Sequence, residues 1–284
     1  MGATRRPGAR ARQGAIAFAI ALLTAGVQAA DRPTQAPATP KLSAEQIVER
    51  NIAARGGLAA WHAVRSLALD GRMDIGGRAN MEVPFRSEMK RPRKQRFELN
   101  FQGRKALQVY DGAHGWKVRP YLGRDDPEPY SPLEEQQAAE TPELDGPLVD
   151  YKAKGTKVAL EGIEAVEGHD AYKLKLTFKN KSVRHDWIDA KSFLEVKMEG
   201  APRRLDRRLH DVQIYYRDYR PVNGLMIPYV LETTVQGVKD THKMTVEKVE
   251  INPKIDDTAF LKPQVVATAA PDHAAKASSV SSSR

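Results

Sequence analysis

Apolar and polar residues alternate with a period of two over most of this chain, the signature of strands buried on one face. The alternation predicts strands near Leu67–Met73, Asn80–Met89, Gln95–Phe101, Lys105–Tyr110 and Gly115–Val118. A second series follows near Thr156–Leu160, Ala171–Phe178, Val183–Asp189, Phe193–Met198, Val212–Tyr219, Leu225–Val235 and Lys243–Ile251. Phe97, Leu99 and Phe101 oppose Arg96, Glu98 and Asn100, and Tyr172, Leu174, Leu176 and Phe178 oppose Lys173, Lys175 and Thr177. Asn223-Gly224, between two β-prone runs, is a strong hairpin signal because both residues tolerate the positive φ of a tight turn. In the last strand the apolar phase slips between Val246 and Val249, which predicts a bulge.

Helical spacing is confined to short stretches. Ser43-Ala-Glu-Gln46 has capping-box spacing before Ile47, Val48 and Ile52, Gly56-Gly57 ends that helix, and Leu58 to Val64 reads as a second one carrying Trp61. Between the two strand series, Gly123 to Lys154 does not read as strand. Ser131-Pro132-Leu-Glu134 and Thr141-Pro142-Glu143 each look like a helix start, so two short helices are expected to cross from one half of the sheet to the other. The sum is an α+β chain built on one antiparallel sheet of about 11 to 12 strands, which must curl strongly. An incomplete (half) barrel with short helices over an apolar concave face fits, and a closed barrel or a sandwich would show the same alternation.

The ends of the chain read differently. Arg5, Arg6, Arg10 and Arg12, the apolar run Ala15 to Val27 and the small residues around Ala29-Ala30 resemble a cleavable export signal over 1–30, too short to span a bilayer stably. A Pro/Ala-rich linker covers 31–41, the domain 42–263, and an Ala/Ser-rich tail 264–284 is expected to be disordered. Lys and Arg total 45 against 36 Asp and Glu, and the leader holds four of those arginines and no acid, so the remainder is mildly basic. With no cysteine, neither a disulfide nor a lipid-anchored N-terminus is expected, and the core alone must stabilise an exported, extracytoplasmic protein without a transmembrane segment. The basic runs Lys90–Arg96 and Arg203–Arg208 lack the interleaved aromatics of a nucleic-acid surface and read as solvated turns, or as a rim facing headgroups or a partner.

Several pieces, in order, resemble the LolA-like outer membrane lipoprotein-sorting proteins. They are Ala54-Arg-Gly-Gly57, Tyr110-Asp-Gly112 with Gly115-Trp116, Leu144-Asp-Gly-Pro-Leu-Val-Asp-Tyr151, Gly168-His-Asp-Ala-Tyr172, Trp187-Ile-Asp189, the Asp218–Pro228 hairpin and Ile255-Asp-Asp257-Thr-Ala-Phe260. The resemblance covers about Leu42 to Pro263 and implies a half-barrel whose mouth is closed by helices over an apolar cavity. It makes the 43–64 helices and the 131–150 crossover a lid, with Ile47, Ile52, Trp61, Leu133, Leu144 and Leu148 as its apolar residues. The chain departs from the family in its greater size, in Asn180-Lys-Ser182 where relatives place a glycine, and in having no identifiable counterpart of the arginine on which the founding carrier's lid closes.

Recognisable catalysis is not in view. Gly-x-x-x-x-Gly-Lys-Ser/Thr, Gly-x-Gly-x-x-Gly and Gly-x-Ser-x-Gly are all missing, and the seven histidines are never spaced as a helical metal pair. His185 and Asp186 point to opposite faces of a strand, so His185 reads as a satisfied histidine at the core edge, and Asp189 as the shaper of the turn into Ala190-Lys-Ser192. No cofactor is expected. Strand phase offers Phe97, Leu99, Phe101, Val109, Trp116, Tyr172, Leu174, Leu176, Phe178, Trp187, Leu194 and Val196 as the concave wall. Trp116 and Trp187, as aromatics on an inward strand face, read first as core and second as cavity lining, and in a half-barrel both can hold. The function the resemblance implies is a monomeric, non-catalytic periplasmic carrier of lipid or lipoprotein acyl chains, moving cargo toward the outer membrane with membrane partners on either side. A non-transporting sensor on the same fold, or an enzyme acting on a hydrophobic small molecule, are the rivals.

Overall fold

The computed structural model describes residues 42–75, 81–140, 143–239 and 241–264. The leader, the linker and the tail beyond residue 264 lie outside the described residues. Thirteen strands form one antiparallel sheet: β1 (Ser66–Asp74), β2 (Glu82–Lys90), β3 (Lys94–Phe101), β4 (Arg104–Tyr110), β5 (Gly115–Arg119), β6 (Arg124–Pro129), β7 (Lys157–Val166), β8 (His169–Thr177), β9 (Val183–Asp189), β10 (Glu195–Glu199), β13 (Val212–Val222), β14 (Leu225–Val235) and β15 (His242–Ile251). Two three-residue strands, β11 (Arg203–Leu205) and β12 (Arg208–His210), make a separate hairpin. The order across the sheet is β6-β5-β4-β3-β2-β1-β15-β14-β13-β10-β9-β8-β7, so β15 returns to pair with β1 and joins the two series.

Local chemistry accounts for the turns. Asn223 and Gly224 both take positive φ (49° and 82°), which sets β13 against β14 from Val212↔Val235 to Val222↔Leu225. The expected bulge is present: Asp70 pairs with Lys248 and Gly71 with Val246, leaving Glu247 unpaired. Ser43 caps α1 (Ala44–Ala54), its Oγ accepting from the Gln46 amide while Gln46 Oε1 accepts from the Ser43 amide. Gly56 ends that helix at φ 115°, and a Cβ there would lie 2.3 Å from the Gly224 carbonyl oxygen, so only glycine lets the helix end meet the β13–β14 turn. α2 (Leu58–Ala63) follows directly.

The crossover differs from expectation in two ways. Among the described residues it holds one helix, α3 (Pro132–Glu140): the Thr141-Pro142 start expected for a second lies outside them, and 143–156 runs as turns. The stretch Arg124–Pro129, read as non-strand, is the edge strand β6, placed by its backbone pairing to β5 and by the Arg119–Glu128 ion pair despite a sequence with little β-propensity.

The ties of α3 reveal the curvature. At its start, Glu134 pairs with Lys117 on β5 at 2.6 Å, and Glu135 accepts from the Gly115 amide. At its end, Glu140 meets Arg184 on β9 and Asn180 beside it. Between β5 and β9 lie nine strand spacings of about 4.8 Å, roughly 40 Å in a flat sheet. Glu134 to Glu140 spans only about 9 Å of helix. The sheet therefore bends into an unclosed half-barrel, and the face carrying the helices is the concave one.

Register then assigns faces. Opposed residues share a face, so Phe85, Phe97, Leu99 and Ala106 line the concave side with Tyr172, Leu174, Leu176 and Ile188. The β7–β10 part of that side is solid core: Ile47 and Val48 of α1 and Leu148 of the crossover pack on Leu174, Leu176 and Ile188, all 0–1% exposed. Trp61 of α2 and Val149 fill the space over Leu225 and Ile227. At about 1.5–3 kcal/mol per large apolar side chain, these contacts are what hold the short helices in place.

Candidate ligand cavity

The β2–β5 part of the concave side is not filled. Beneath α3 lies a cavity of about 340 Å³, walled by Ser87 and Met89 of β2, Gln95, Arg96 and Phe97 of β3, Gln108 and Tyr110 of β4, Lys117 of β5, and Tyr130, Glu134, Gln137 and Ala138 from the start of the crossover. Phe97 stacks on buried Phe85 at 5.8 Å between ring centroids, giving the cavity a rigid apolar floor. Toward the other end of the strands, Leu69, Met73, Leu99, Leu231 and Met244 share this face and are each only half-buried, so the apolar wall continues past the cavity as an open trough. A second cavity of about 290 Å³ lies beyond α3, lined by Arg93, Glu140, Pro147, Lys154, Phe178 and Asn180 among others.

Electrostatics close the cavity's α3 side. Burial alone would raise the Glu134 carboxyl, but the hydrogen bonds from Lys117 and Ser131 outweigh it and hold it below the usual range. Burial, helped by Glu134 and Glu135, pushes the Tyr130 hydroxyl up to about 12, so it stays a hydrogen-bond donor. Gly115 makes room for that ring: a Cβ at Gly115 would lie 2.1 Å from Tyr130. The chemistry on offer is an apolar floor facing two tyrosine hydroxyls, three carboxamides and a neutralised Lys–Glu pair, suited to an amphiphile rather than to a bare ion.

The sequence-based wall divides between two faces. Phe97, Leu99, Phe101, Tyr172, Leu174, Leu176 and Phe178 share the concave side, but only Phe97 lines the larger cavity and Phe178 the smaller; Leu174 and Leu176 are sealed under α1. Register corrects the orientation of four others. Val109 and Trp116 oppose each other on the convex face with Arg96 and Pro129. Trp187 opposes Lys173 and Lys197 there, in a convex-side cluster with Val166 and Ala171 against which Val196 packs. Leu194 is in the turn before β10, its carbonyl accepting from the Asp189 amide. The reason is physical: this convex face also carries apolar side chains, and alternation within a strand does not say which phase faces inward.

Of the helix residues, Ile47, Trp61 and Leu148 are buried and Ile52, Leu133 and Leu144 half-buried. Sequence reasoning missed Tyr130, Gln108 and Gln137 because polar wall residues carry no hydrophobic signal. It also missed a buried polar cluster beneath α1. Arg55 donates to the Asp145 carbonyl, pairs with Glu195 at 3.4 Å and lies over Trp61. Asp186, 2% exposed, and Tyr216 and Tyr219 sit in the same field. None of these groups lines either cavity. Asp145, 1% exposed, is clamped by Arg91 and Lys154, each at 2.7 Å, while Arg91 also donates to the Val64 and Trp61 carbonyls. These arginines tie crossover, helices and sheet together. His185 is partnered as expected, by Glu199 at 2.8 Å, and Asp189 accepts from the Lys191 and Ser192 amides, shaping its turn.

Among the described residues no helix is long and apolar enough to cross a membrane, and no cluster of His, Cys, Asp or Glu could hold a metal ion. No family model and no curated protein matches the chain. It is similar to solved structures: a DUF1329 family protein from Desulfovibrio piger (13% identity, 77% of this chain and 97% of that one, TM-score 0.52); a LolA superfamily protein from Nitrosomonas europaea (15%, 78% and 98%, TM-score 0.49); and a domain assigned to the outer membrane lipoprotein-sorting proteins from Vibrio parahaemolyticus (12%, 75% and 94%, TM-score 0.47). At such identities the likeness is one of fold, and the half-barrel expected from the sequence is the architecture found.

Proposed function

We propose that this protein is a periplasmic carrier that shelters acyl chains of a lipid or lipoprotein in the concave trough and moves them toward the outer membrane. The observation that carries this reading is the partial filling of the half-barrel. Helices pack the β7–β10 side solid, while the β2–β5 side keeps a 340 Å³ cavity with a Phe85–Phe97 floor and an open apolar continuation. Ligand sites typically start near this volume, and each buried methylene is worth about 0.8 kcal/mol, so the trough can compete for part of a chain that a bilayer also holds. The Gln, Tyr and Lys–Glu groups at the α3 side meet the polar end of such a cargo. The buried Arg55–Asp186–Glu195 cluster supports fold cohesion rather than catalysis, since neither cavity reaches it.

Gentle mass spectrometry of the exported protein, followed by lipid extraction, tests this. Co-purifying acyl chains or acylated peptides are the expected result. A clean apo mass that is unchanged after incubation with lipids and lipoproteins overturns it in favour of a partner-binding module.

A further inference from the structure

The basic run Arg203–Arg208 is neither a plain turn nor part of the main sheet. It is a free-standing hairpin with register Arg203↔His210, Arg204↔Leu209 and Leu205↔Arg208, closed by Asp206 and Arg207, both at positive φ. Arg203, Arg204, Arg207 and Arg208 are exposed, and among the described residues none of their side chains has an ion-pair or hydrogen-bond partner. That sets them apart from Arg72, Arg86, Arg96, Arg217 and Arg220 on the sheet, each paired with a carboxylate. Between these unpaired cations stand Leu205 and Leu209, 36% and 55% exposed, one on each face of the hairpin. The β14–β15 turn is bonded alongside, His210 to the Gln236 carbonyl at 2.9 Å, and adds Val238, 40% exposed, and Lys239. Asp206 is the single acid of the hairpin.

We infer that this hairpin docks the protein on an anionic lipid bilayer. The guanidinium groups meet headgroup phosphates in fork geometry, while the leucines between them reach the acyl boundary. Unpaired arginines carry no ion pair that must break before they engage phosphate, and two leucines on opposite faces suit an edge dipping into an interface better than a flat protein contact. The base of the hairpin is fixed to the cavity's cover, since Gln137 of α3 donates to the Pro202 carbonyl at 2.9 Å. Docking therefore places α3 near the membrane. The surface does not depend on the cavity holding acyl chain.

Flotation of the processed protein with vesicles tests it, using phosphatidylglycerol and phosphatidylcholine in equal parts against phosphatidylcholine alone. Binding to the anionic vesicles only, weakening as salt is raised, is expected. At about five-fold in affinity per basic residue near the surface, replacing all four arginines by glutamine lowers binding roughly a hundredfold or more. Leu205→Ser with Leu209→Ser weakens binding but leaves its salt dependence. All these positions are exposed, so thermal melts of the variants match the parent. No flotation of the folded parent with anionic vesicles, or a quadruple variant that floats as well as the parent, overturns the inference.

Discussion

Asp186 shows how far one buried residue can shape the behaviour of the whole. Its carboxyl is held well above the usual carboxylate range, by burial first and by Glu195 next, with Arg55 offsetting in part, and its Oδ1 has no hydrogen-bond partner among the described residues. In the unfolded chain it titrates near 3.8. Between that value and the raised one, the folded state keeps a proton that the unfolded state has lost, so this group's contribution to stability falls as pH rises. Asp186→Asn removes that slope. Relative to the parent, the variant gains stability as pH climbs from about 4 toward neutral, read as urea midpoints across pH. Parallel midpoints for the two proteins would show that Asp186 titrates like an exposed carboxylate.

Two leucines separate wall from core. Leu99 is half-buried in the trough, and Leu176 is 1% exposed beneath α1. Leu176→Asp should lose about 3 kcal/mol or more, because it places a charge against Ile47, Val48 and Leu148. Leu99→Asp should cost much less stability while abolishing co-purification of acyl chains. Chemical denaturation and lipid extraction on the same two variants check both halves, and equal losses of stability would mean that no open wall exists at Leu99.

At the element scale, the sequence was most legible where local chemistry and burial agree. Asn223-Gly224, the Ser43 cap and the slip at Glu247 are written in a few neighbouring residues, and each is present. Legibility failed where structure depends on distant partners. β6 is Arg-Asp-Asp-Pro-Glu-Pro, six residues without strand propensity, ordered by β5. The hairpin of β11 and β12 buries almost nothing, so no hydrophobic pattern announces it. Trp116 and Val109 had the right period and the wrong side: Val109 is fully buried opposite Arg96, whose guanidinium donates to the Ala259 carbonyl, and alternation alone does not say which phase faces inward.

For the whole molecule, the decisive property is incomplete closure. An open sheet leaves β6 and β7 as edges, and each is blunted. β6 carries Pro127, Pro129, Asp125 and Asp126, and β7 shifts register between Leu160 and Gly162. Prolines, charges and bulges on edges oppose strand addition by another chain. The cavity itself was only partly foreseeable. An apolar concave face followed from alternation, whereas the volume left empty depends on how short helices fill it, and that is set by side chains more than a hundred residues apart, such as Asn51 donating to the Phe193 carbonyl.

Considered mechanically, α3 is the chord of an arc. A twisted sheet bent this far is a spring, and the Lys117–Glu134 and Arg184–Glu140 contacts at the two ends of α3 are the pins that hold it wound. The Lys117–Glu134 pair is partly exposed and worth about 1 kcal/mol or less, and the more buried Arg184–Glu140 pair gives back much of its attraction in desolvation, so the pins are weak compared with the leaf they restrain. Glu134→Gln together with Glu140→Gln should let the arc widen without unfolding it. Spin labels on β5 and β9 would then report a longer and broader distance distribution, whereas an unchanged distance would mean that the sheet holds its own bend. If the chord yields this way, the bore of the half-barrel is not a fixed dimension: it is set by a pair of salt-sensitive fasteners, and the girth of an occupant and ionic strength become two dials on the same spring.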